Sequence, residues 1–224
     1  MELYQVTSTA IAANIPNPRL KPEQVKSYEI ALERDLGEGK LRVSLFQENV
    51  NKALISQSTS VNGVATTVFT NVDEVQNRGF ELAAQKSNVV FEGLDLSGSV
   101  TYVDSETVRD PSWASGTQVN GKRVPYVPMW RSTFVTTLRP TEEWALTAAA
   151  RYQGKMSTTL DNTDYVHHVM GAFDPFFVVD LRAHYKYNAN LEASFGVDNV
   201  NNEKYYEYHP FPQRTFIGEL KMKL

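Results

Sequence analysis

The stretch Asp161-Asn162-Thr163-Asp164-Tyr165-Val166-His167-His168 gathers two carboxylates, a phenol and two imidazoles. Side chains of these types can hold a metal chelate or a haem, which makes Tyr165, His167 and His168 candidate ligand contacts. Adjacent side chains on an extended segment point to opposite sides, so the two histidines are not expected to share one ion; a plain solvated loop is the alternative reading. A second cluster collects Tyr205, Tyr206, Tyr208, His209 and Arg214. Arginine offers a forked cation and tyrosine a flat amphipathic face, a pairing suited to an anionic chelate, so Tyr206, Tyr208, His209 and Arg214 are candidates as well. Aromatic residues at strand ends explain the tyrosines equally well. No Gly-x-Ser-x-Gly, phosphate-binding loop or metal-ligand phrase is present, so no catalytic residue, resident metal or cofactor is assigned and the chain is not expected to be an enzyme.

The elements that carry these loops read as β-strands. Phe216, Gly218, Leu220, Met222 and Leu224 alternate with Thr215, Ile217, Glu219, Lys221 and Lys223. The same period of two runs through Leu191 to Asp198 and Phe177 to Tyr187, and it means strand, not helix. Nine strands are predicted: about 26–35, 41–57, 67–84, 94–102, 128–139, 144–153, 177–187, 191–206 and 215–224. Gly37 and Gly39 close the first turn, Asn62-Gly63 marks a hairpin tip, and Gly79 reads as a bulge or a point of close approach. Residues 1–25 carry Pro16, Pro18 and Pro22 and read as an irregular lead-in on the extracellular side, with residues 26–224 as the β segment.

Alternation alone fits a soluble sandwich as well as a membrane wall. The connections discriminate. Tight turns are predicted near residues 37, 88, 141 and 189 and wider loops near 61, 115, 164 and 209, so short and long connections fall on opposite rims. That arrangement belongs to outer-membrane barrels, whose short turns are periplasmic and long loops extracellular. Trp144 and Tyr152 share a face at opposite ends of one strand; at about 3.3 Å per residue and a tilt near 40°, they are roughly 20 Å apart, against an apolar band of roughly 25 Å. Phe177 with Tyr187, and Leu94 with Tyr102, repeat the spacing. On the opposite, inward face, Arg42, Arg151, Arg182, Glu29, Glu81, Glu192 and Glu219 are expected to pair with one another or with residues of a segment filling the barrel.

Composition sets further bounds. The chain has 224 residues, with 22 basic and 26 acidic side chains for a net charge of −4, which disfavours nucleic acid as a partner. Mean hydropathy is −0.37. No apolar run is long enough for a helical span, although a barrel wall would leave the same average because half its residues face water. There is no cysteine, so disulfides and thiolate sites are absent. The amino terminus, Met-Glu-Leu-Tyr-Gln-Val-Thr-Ser, lacks the charged start and apolar core of a secretory signal. An outer-membrane protein needs one, so the chain reads as the carboxy-terminal piece of a longer precursor.

Five phrases in order add a resemblance to TonB-dependent outer-membrane receptors. They are Asn17-Pro18-Arg19-Leu20-Lys21-Pro22-Glu23 followed by Ser27-Tyr28-Glu29; Asn77-Arg78-Gly79-Phe80-Glu81; Val124-Pro125-Tyr126-Val127-Pro128; Val197-Asp198-Asn199-Val200-Asn201-Asn202 with Tyr205-Tyr206; and Pro212-Gln213-Arg214-Thr215-Phe216. The resemblance covers nearly the whole chain. It implies an all-β, antiparallel transmembrane barrel wall, the last nine strands of a twenty-two-stranded barrel, with the plug and TonB box outside this chain. It further implies energy-coupled uptake of a ferric siderophore or similar chelate, outer-membrane lipid around the wall, and coupling to the TonB complex through the missing plug region. Leu224 departs from the Phe or Trp that usually ends such barrels. Two other classes stay open at this point: a small self-contained porin-like barrel and a soluble all-β glycan-binding module. A nine-stranded open sheet would expose two edges and an apolar face, and would need detergent or pairing with other chains.

Overall fold

The structure, a computed structural model, describes residues 7–8, 12–15, 17–61, 64–110, 119–164 and 166–223. All regular structure among them is β. In chain order the strands are β1 (Thr7–Ser8), β2 (Ala12–Ile15), β3 (Gln24–Asp35), β4 (Gly39–Val61), β5 (Val64–Lys86), β6 (Leu94–Arg109), β7 (Trp130–Leu138), β8 (Trp144–Gln153), β9 (Phe176–Lys186), β10 (Leu191–Asp198), β11 (Tyr206–Glu207), β12 (His209–Pro210) and β13 (Thr215–Met222). The nine long strands, β3 to β10 and β13, form one antiparallel sheet in which chain neighbours pair, with β13 beside β10. The expected nine-stranded wall is therefore present. The outer edges of β3 and β13 have no partner among the described residues, so the sheet is open.

The register lines the apolar residues into rows. Leu32, Val43, Leu82, Val100, Ser132, Tyr152 and Phe177 stand opposite one another strand by strand. The row nearer the short turns runs Leu94, Leu138, Leu146, Ala183, Phe195, Gly218. A slip of one residue would turn each row to the other face, so this match fixes which side of every strand is apolar. The apolar face is covered by nothing among the described residues: Tyr28, Ile30 and Leu32 are 68%, 77% and 72% exposed, and Phe216 and Leu220 are 66% and 72%. A soluble sandwich would cover that face with a second sheet; here it is bare and continuous.

Aromatic residues sit at both ends of it. At the long-loop rim Tyr102 lies 4.7 Å from Trp130 and 5.8 Å from Phe80. At the short-turn rim Trp144 lies 4.6 Å from Tyr185. Each such pair contributes about 0.5–1.5 kcal/mol beyond area burial, and together they mark the two edges of the apolar band as the spacing of Trp144 and Tyr152 anticipates.

The opposite face carries charge in pairs. Arg42 reaches Glu29 at 3.0 Å and Glu33 at 3.8 Å, and Lys40 reaches Glu33 at 2.6 Å. Arg151 meets Asp180 at 3.1 Å, Arg182 meets Asp198 at 2.7 Å, and Arg139 pairs with Asp95. Most of these partners are half exposed, so each pair is worth about 0–1 kcal/mol. Gly196 makes one of them possible: a Cβ there would come within 2.5 Å of the Arg182 Cδ and Cζ, so the missing side chain lets Arg182 lie across β10 toward Asp198.

Two local differences from expectation have physical causes, and of the two roles open to Gly79 the structure shows close approach. The connection near residue 61 is a projecting ribbon and not a wide loop, because β4 and β5 stay paired out to Val61 and Val64; its Asn62-Gly63 tip lies outside the described residues. The register shift in this region falls between Glu74 and Val75, with Lys52 at a positive φ of 58°. Gly79 instead serves close approach, since a Cβ on it would lie 2.8 Å from the Phe46 ring and press on the Tyr102 backbone. The lead-in is not wholly irregular either: β2 pairs parallel with β5 at Ala65 to Val68, on the edge that β6 no longer covers.

The buried residues lie both in the connections and on the strands, chiefly β4 to β6. Val119, Met156, Leu160 and Ala172 are buried, and Ala53, Val72 and Val75 form a small cluster on the ribbon against Val124. Tyr205, 2% exposed, is sandwiched between Phe176 at 4.3 Å and Phe211 at 4.8 Å. Burial pushes its phenol up to about 12, with the Glu207 and Asp180 carboxylates adding to the shift and Arg151 opposing it.

Two outcomes are expected. Gly79→Ala forces β6 to shift and costs about 1–3 kcal/mol, whereas Gly218→Ala, with open space around it, stays within about 0.5 kcal/mol; urea unfolding in detergent micelles followed by tryptophan fluorescence checks the contrast. Because a raised phenol stabilises the fold while it is neutral, the stabilisation from Tyr205 is complete below about pH 10 and is lost as the pH rises towards 12. Ultraviolet titration of wild type against Tyr205→Phe checks it, and a tyrosine that ionises near 10 in the folded protein would contradict the burial.

Candidate functional site

The wall delivers three long connections to one rim: residues 110–129 between β6 and β7, 154–175 between β8 and β9, and 199–214 between β10 and β13. The short turns 36–38, 87–93, 139–143 and 187–190 are all at the other rim. The residues singled out as ligand candidates lie on the second and third of the long connections.

Asp174 joins those two connections. Its carboxylate is 1% exposed and accepts hydrogen bonds from the Tyr206 backbone N–H at 2.9 Å and the His168 backbone N–H at 3.2 Å. In return, its own N–H donates to the Tyr206 carbonyl at 2.8 Å. His167 Nδ1 lies 3.2 Å from one carboxylate oxygen and His168 Nδ1 3.3 Å from the other. The two imidazoles therefore converge on one group, contrary to the expectation for an extended segment. The reason is local: His168 has a φ of 55°, and that left-handed residue turns the second ring back toward the first. No group of three or more His, Cys, Asp or Glu side chains among the described residues could hold a metal ion. Tyr165 lies outside the described residues.

Tyr206 and His209 belong to the β11–β12 hairpin, and Tyr208 stands at its apex with a φ of 66°. From there a chain of rings crosses the rim. His209 meets Tyr208 edge to face at 4.9 Å, Tyr208 lies 6.5 Å from Phe173, and Phe173 meets Tyr126 edge to face at 5.2 Å. His209 Nδ1 also lies 3.1 Å from the Met170 sulfur. Tyr126, Tyr208 and Met170 are exposed, so the chain offers an open aromatic surface drawn from all three connections. Burial is the main cause that raises the Tyr126 phenol, followed by the Asp164 carboxylate and Tyr208. It stays neutral and able to donate at any physiological pH.

Arg214 is placed differently from the rest of its cluster. Its backbone N–H donates to the Asn202 side chain at 3.1 Å and its Nε–H to the Val200 carbonyl at 3.0 Å, at the base of the connection. Asn199 does similar work nearby. It is 3% exposed, its amide donates to the carbonyls of Glu203 and Pro212, and its oxygen accepts the Glu203 N–H. These bonds make Asn199 the residue that sets the shape of the third connection. Asp174, Phe173, Tyr126 and Met170 were not singled out from the sequence; lone residues on long loops carry no periodic signal, and only proximity in space connects them.

Comparison with known proteins agrees with this architecture. The family model described as TonB dependent receptor-like, beta-barrel, matches residues 2–200. The ferric-pyoverdine 358 receptor of Pseudomonas putida is 26% identical over 198 residues, covering 86% of this chain and 22% of the relative. The metal-pseudopaline receptor of Pseudomonas aeruginosa is 26% identical over 191 residues, covering 83% of this chain and 25% of the relative. The chain thus spans about a quarter of the length of these curated relatives. Among solved structures, the copper transporter OprC superposes with a TM-score of 0.72 at 18% identity, over 92% of this chain and 33% of that one. These are transport receptors of the Gram-negative outer membrane and not enzymes, and this chain, with its bare apolar face and its segregated rims, belongs to the TonB-dependent receptor-like β-barrel family.

Proposed function

We propose that this chain is the carboxy-terminal barrel segment of an outer-membrane receptor that takes up a ferric siderophore or a similar metal chelate with energy supplied through TonB. The observation that carries the proposal is the pairing of a continuous apolar face with one aromatic rim, where Tyr126, Phe173, Tyr208 and His209 meet. The apolar face contacts outer-membrane lipid and the paired charges face the barrel interior. Coupling to the TonB complex runs through a plug region that is not part of this chain. The names of the relatives, a ferric-pyoverdine and a metal-pseudopaline receptor, support a chelate as cargo.

In this reading the metal arrives already wrapped by its chelator, and the rim recognises the chelator's outer surface. Flat exposed rings stack on planar ligand groups, and neutral phenols donate hydrogen bonds. Tyr208 and His209 make direct contact, with Tyr206 in the same hairpin. His167 and His168 act with Asp174 to hold the second and third connections together, and Arg214 fixes the base of the third.

The test measures binding of a panel of ferric catecholate, hydroxamate and carboxylate chelates by fluorescence quenching, with growth under iron limitation as the cellular readout. Tyr208→Ala is expected to weaken the preferred chelate roughly tenfold without changing unfolding. Asp174→Asn removes the charge that accepts two backbone N–H groups and is expected to weaken binding and destabilise the rim together, by about 1–3 kcal/mol. A receptor that binds none of the panel, or binds it equally in both variants, would remove the chelate reading. Brominated phosphatidylcholine is expected to quench Trp130 and Trp144, which sit at opposite edges of the apolar band; unquenched tryptophans would contradict the membrane wall.

A further inference from the structure

The apolar face is not uniform. Near the short-turn rim it is indented by a groove of about 470 Å³, whose lining includes Leu36, Ala84, Val89, Leu96, Gly98 and Phe134. Ala84 and Gly98 are register partners on adjacent strands, so the floor is made of the two smallest side chains and the walls of larger ones. Lys86 lines the groove at its short-turn end.

Two cations stand on this lipid-facing side and close to this rim. Lys86 faces Leu96 across the ladder and Arg34 faces Leu41, so parity puts both with the apolar rows and not with the paired charges opposite. Both are exposed. Neither forms an ion pair with a carboxylate among the described residues, in contrast to Lys40, Arg42 and Arg139 nearby. The turn carboxylates are engaged elsewhere: Asp35 accepts the Gly37 N–H at 2.7 Å, and Glu38 accepts the Asn88 side-chain amide at 2.8 Å. Gly39, the register partner of Lys86, leaves space beside it, because a Cβ there would lie 2.8 Å from the Lys86 Cβ. An unpaired cation at the end of a lipid-facing strand is stable only if its head reaches the interface, where anionic headgroups attract it.

We propose that this end of the wall is a binding site for an anionic phospholipid, with one acyl chain lying in the groove over Ala84 and Gly98 and the phosphate held between Arg34 and Lys86. The proposal rests on the membrane-wall reading above. The short turns of such walls are periplasmic, so the lipid comes from the inner, phospholipid leaflet. Groove and cations each contribute: the groove accepts any acyl chain, and the two cations select the headgroup.

The experiment uses the protein carrying this chain, purified in a zwitterionic detergent, with lipid retention counted by native mass spectrometry. The probes are dioleoylphosphatidylglycerol, dioleoylphosphatidylcholine and, as a competitor, glycerol 3-phosphate. Phosphatidylglycerol is expected to be retained at least roughly tenfold better than phosphatidylcholine, and the double variant Arg34→Gln/Lys86→Gln is expected to abolish that preference. Ala84→Phe, which fills the groove and leaves both cations, is expected to lower retention of phosphatidylglycerol, and glycerol 3-phosphate is expected not to displace it. Equal retention of the two lipids, unchanged retention in both variants, or displacement by glycerol 3-phosphate would overturn the proposal. Quenching of tryptophan by brominated phosphatidylcholine separates the two levels: quenching without headgroup preference sinks this site alone, whereas absent quenching removes the membrane wall and the site with it.

Discussion

A sheet one layer thick has no interior, so its order depends on the antiparallel ladder that joins β3 to β13. In a domain with a core, a register error is opposed by packing from a second layer. In this chain the register itself decides which residues meet hydrocarbon and which meet water, because each one-residue slip exchanges the faces. Rows such as Leu32, Val43, Leu82, Val100 show the ladder kept in step across the strands. The irregularities, at Lys52 and between Glu74 and Val75, fall where β4 and β5 leave the wall to form the projecting ribbon. Backbone hydrogen bonds must be complete inside a bilayer, and outside it they need not be.

The same constraint explains where the packed residues are. Neither face of the wall is covered among the described residues, so burial appears in the long connections, at Val119, Leu160, Ala172, Asp174, Asn199 and Tyr205, and on the ribbon, at Ala53, Phe69, Val72 and Val75. These segments are loops in connectivity, yet they behave like small domains stabilised by a few enclosed polar groups. Asp174 ties together two connections and Asn199 holds the third from within. The aromatic chain from Tyr126 to His209 is the exposed surface of that packed layer, and its geometry is inherited from buried groups that would never touch a ligand themselves.

Charge on the two faces follows different rules. On the polar face, opposite charges sit on neighbouring strands, where water and partners lower their cost; Arg182 even crosses a glycine to reach Asp198. On the apolar face the cations Arg34 and Lys86 sit at the rim, where headgroups take the place of carboxylates. The placement of a charge within the membrane-facing wall is therefore a statement about which solvent it meets.

By itself the sequence determined the strand class, the number of wall strands, the face of each residue and the segregation of short and long connections, because period two and turn residues are local properties that survive without tertiary structure. It also placed Trp144 and Tyr152 at opposite edges of one band. It did not reveal that β4 and β5 continue as a ribbon, since its apolar residues Ala53, Val72 and Val75 pack against one another and against Val124 of another connection. Nor did it reveal that His167 and His168 meet on Asp174, which takes a left-handed residue at 168 and a carboxylate held by its bond to Tyr206 of the third connection. The tertiary structure alone decided those points, and the groove over Ala84 and Gly98 with them. Each depends on how neighbouring segments pair or turn back on one another, which the pattern of a single strand does not contain.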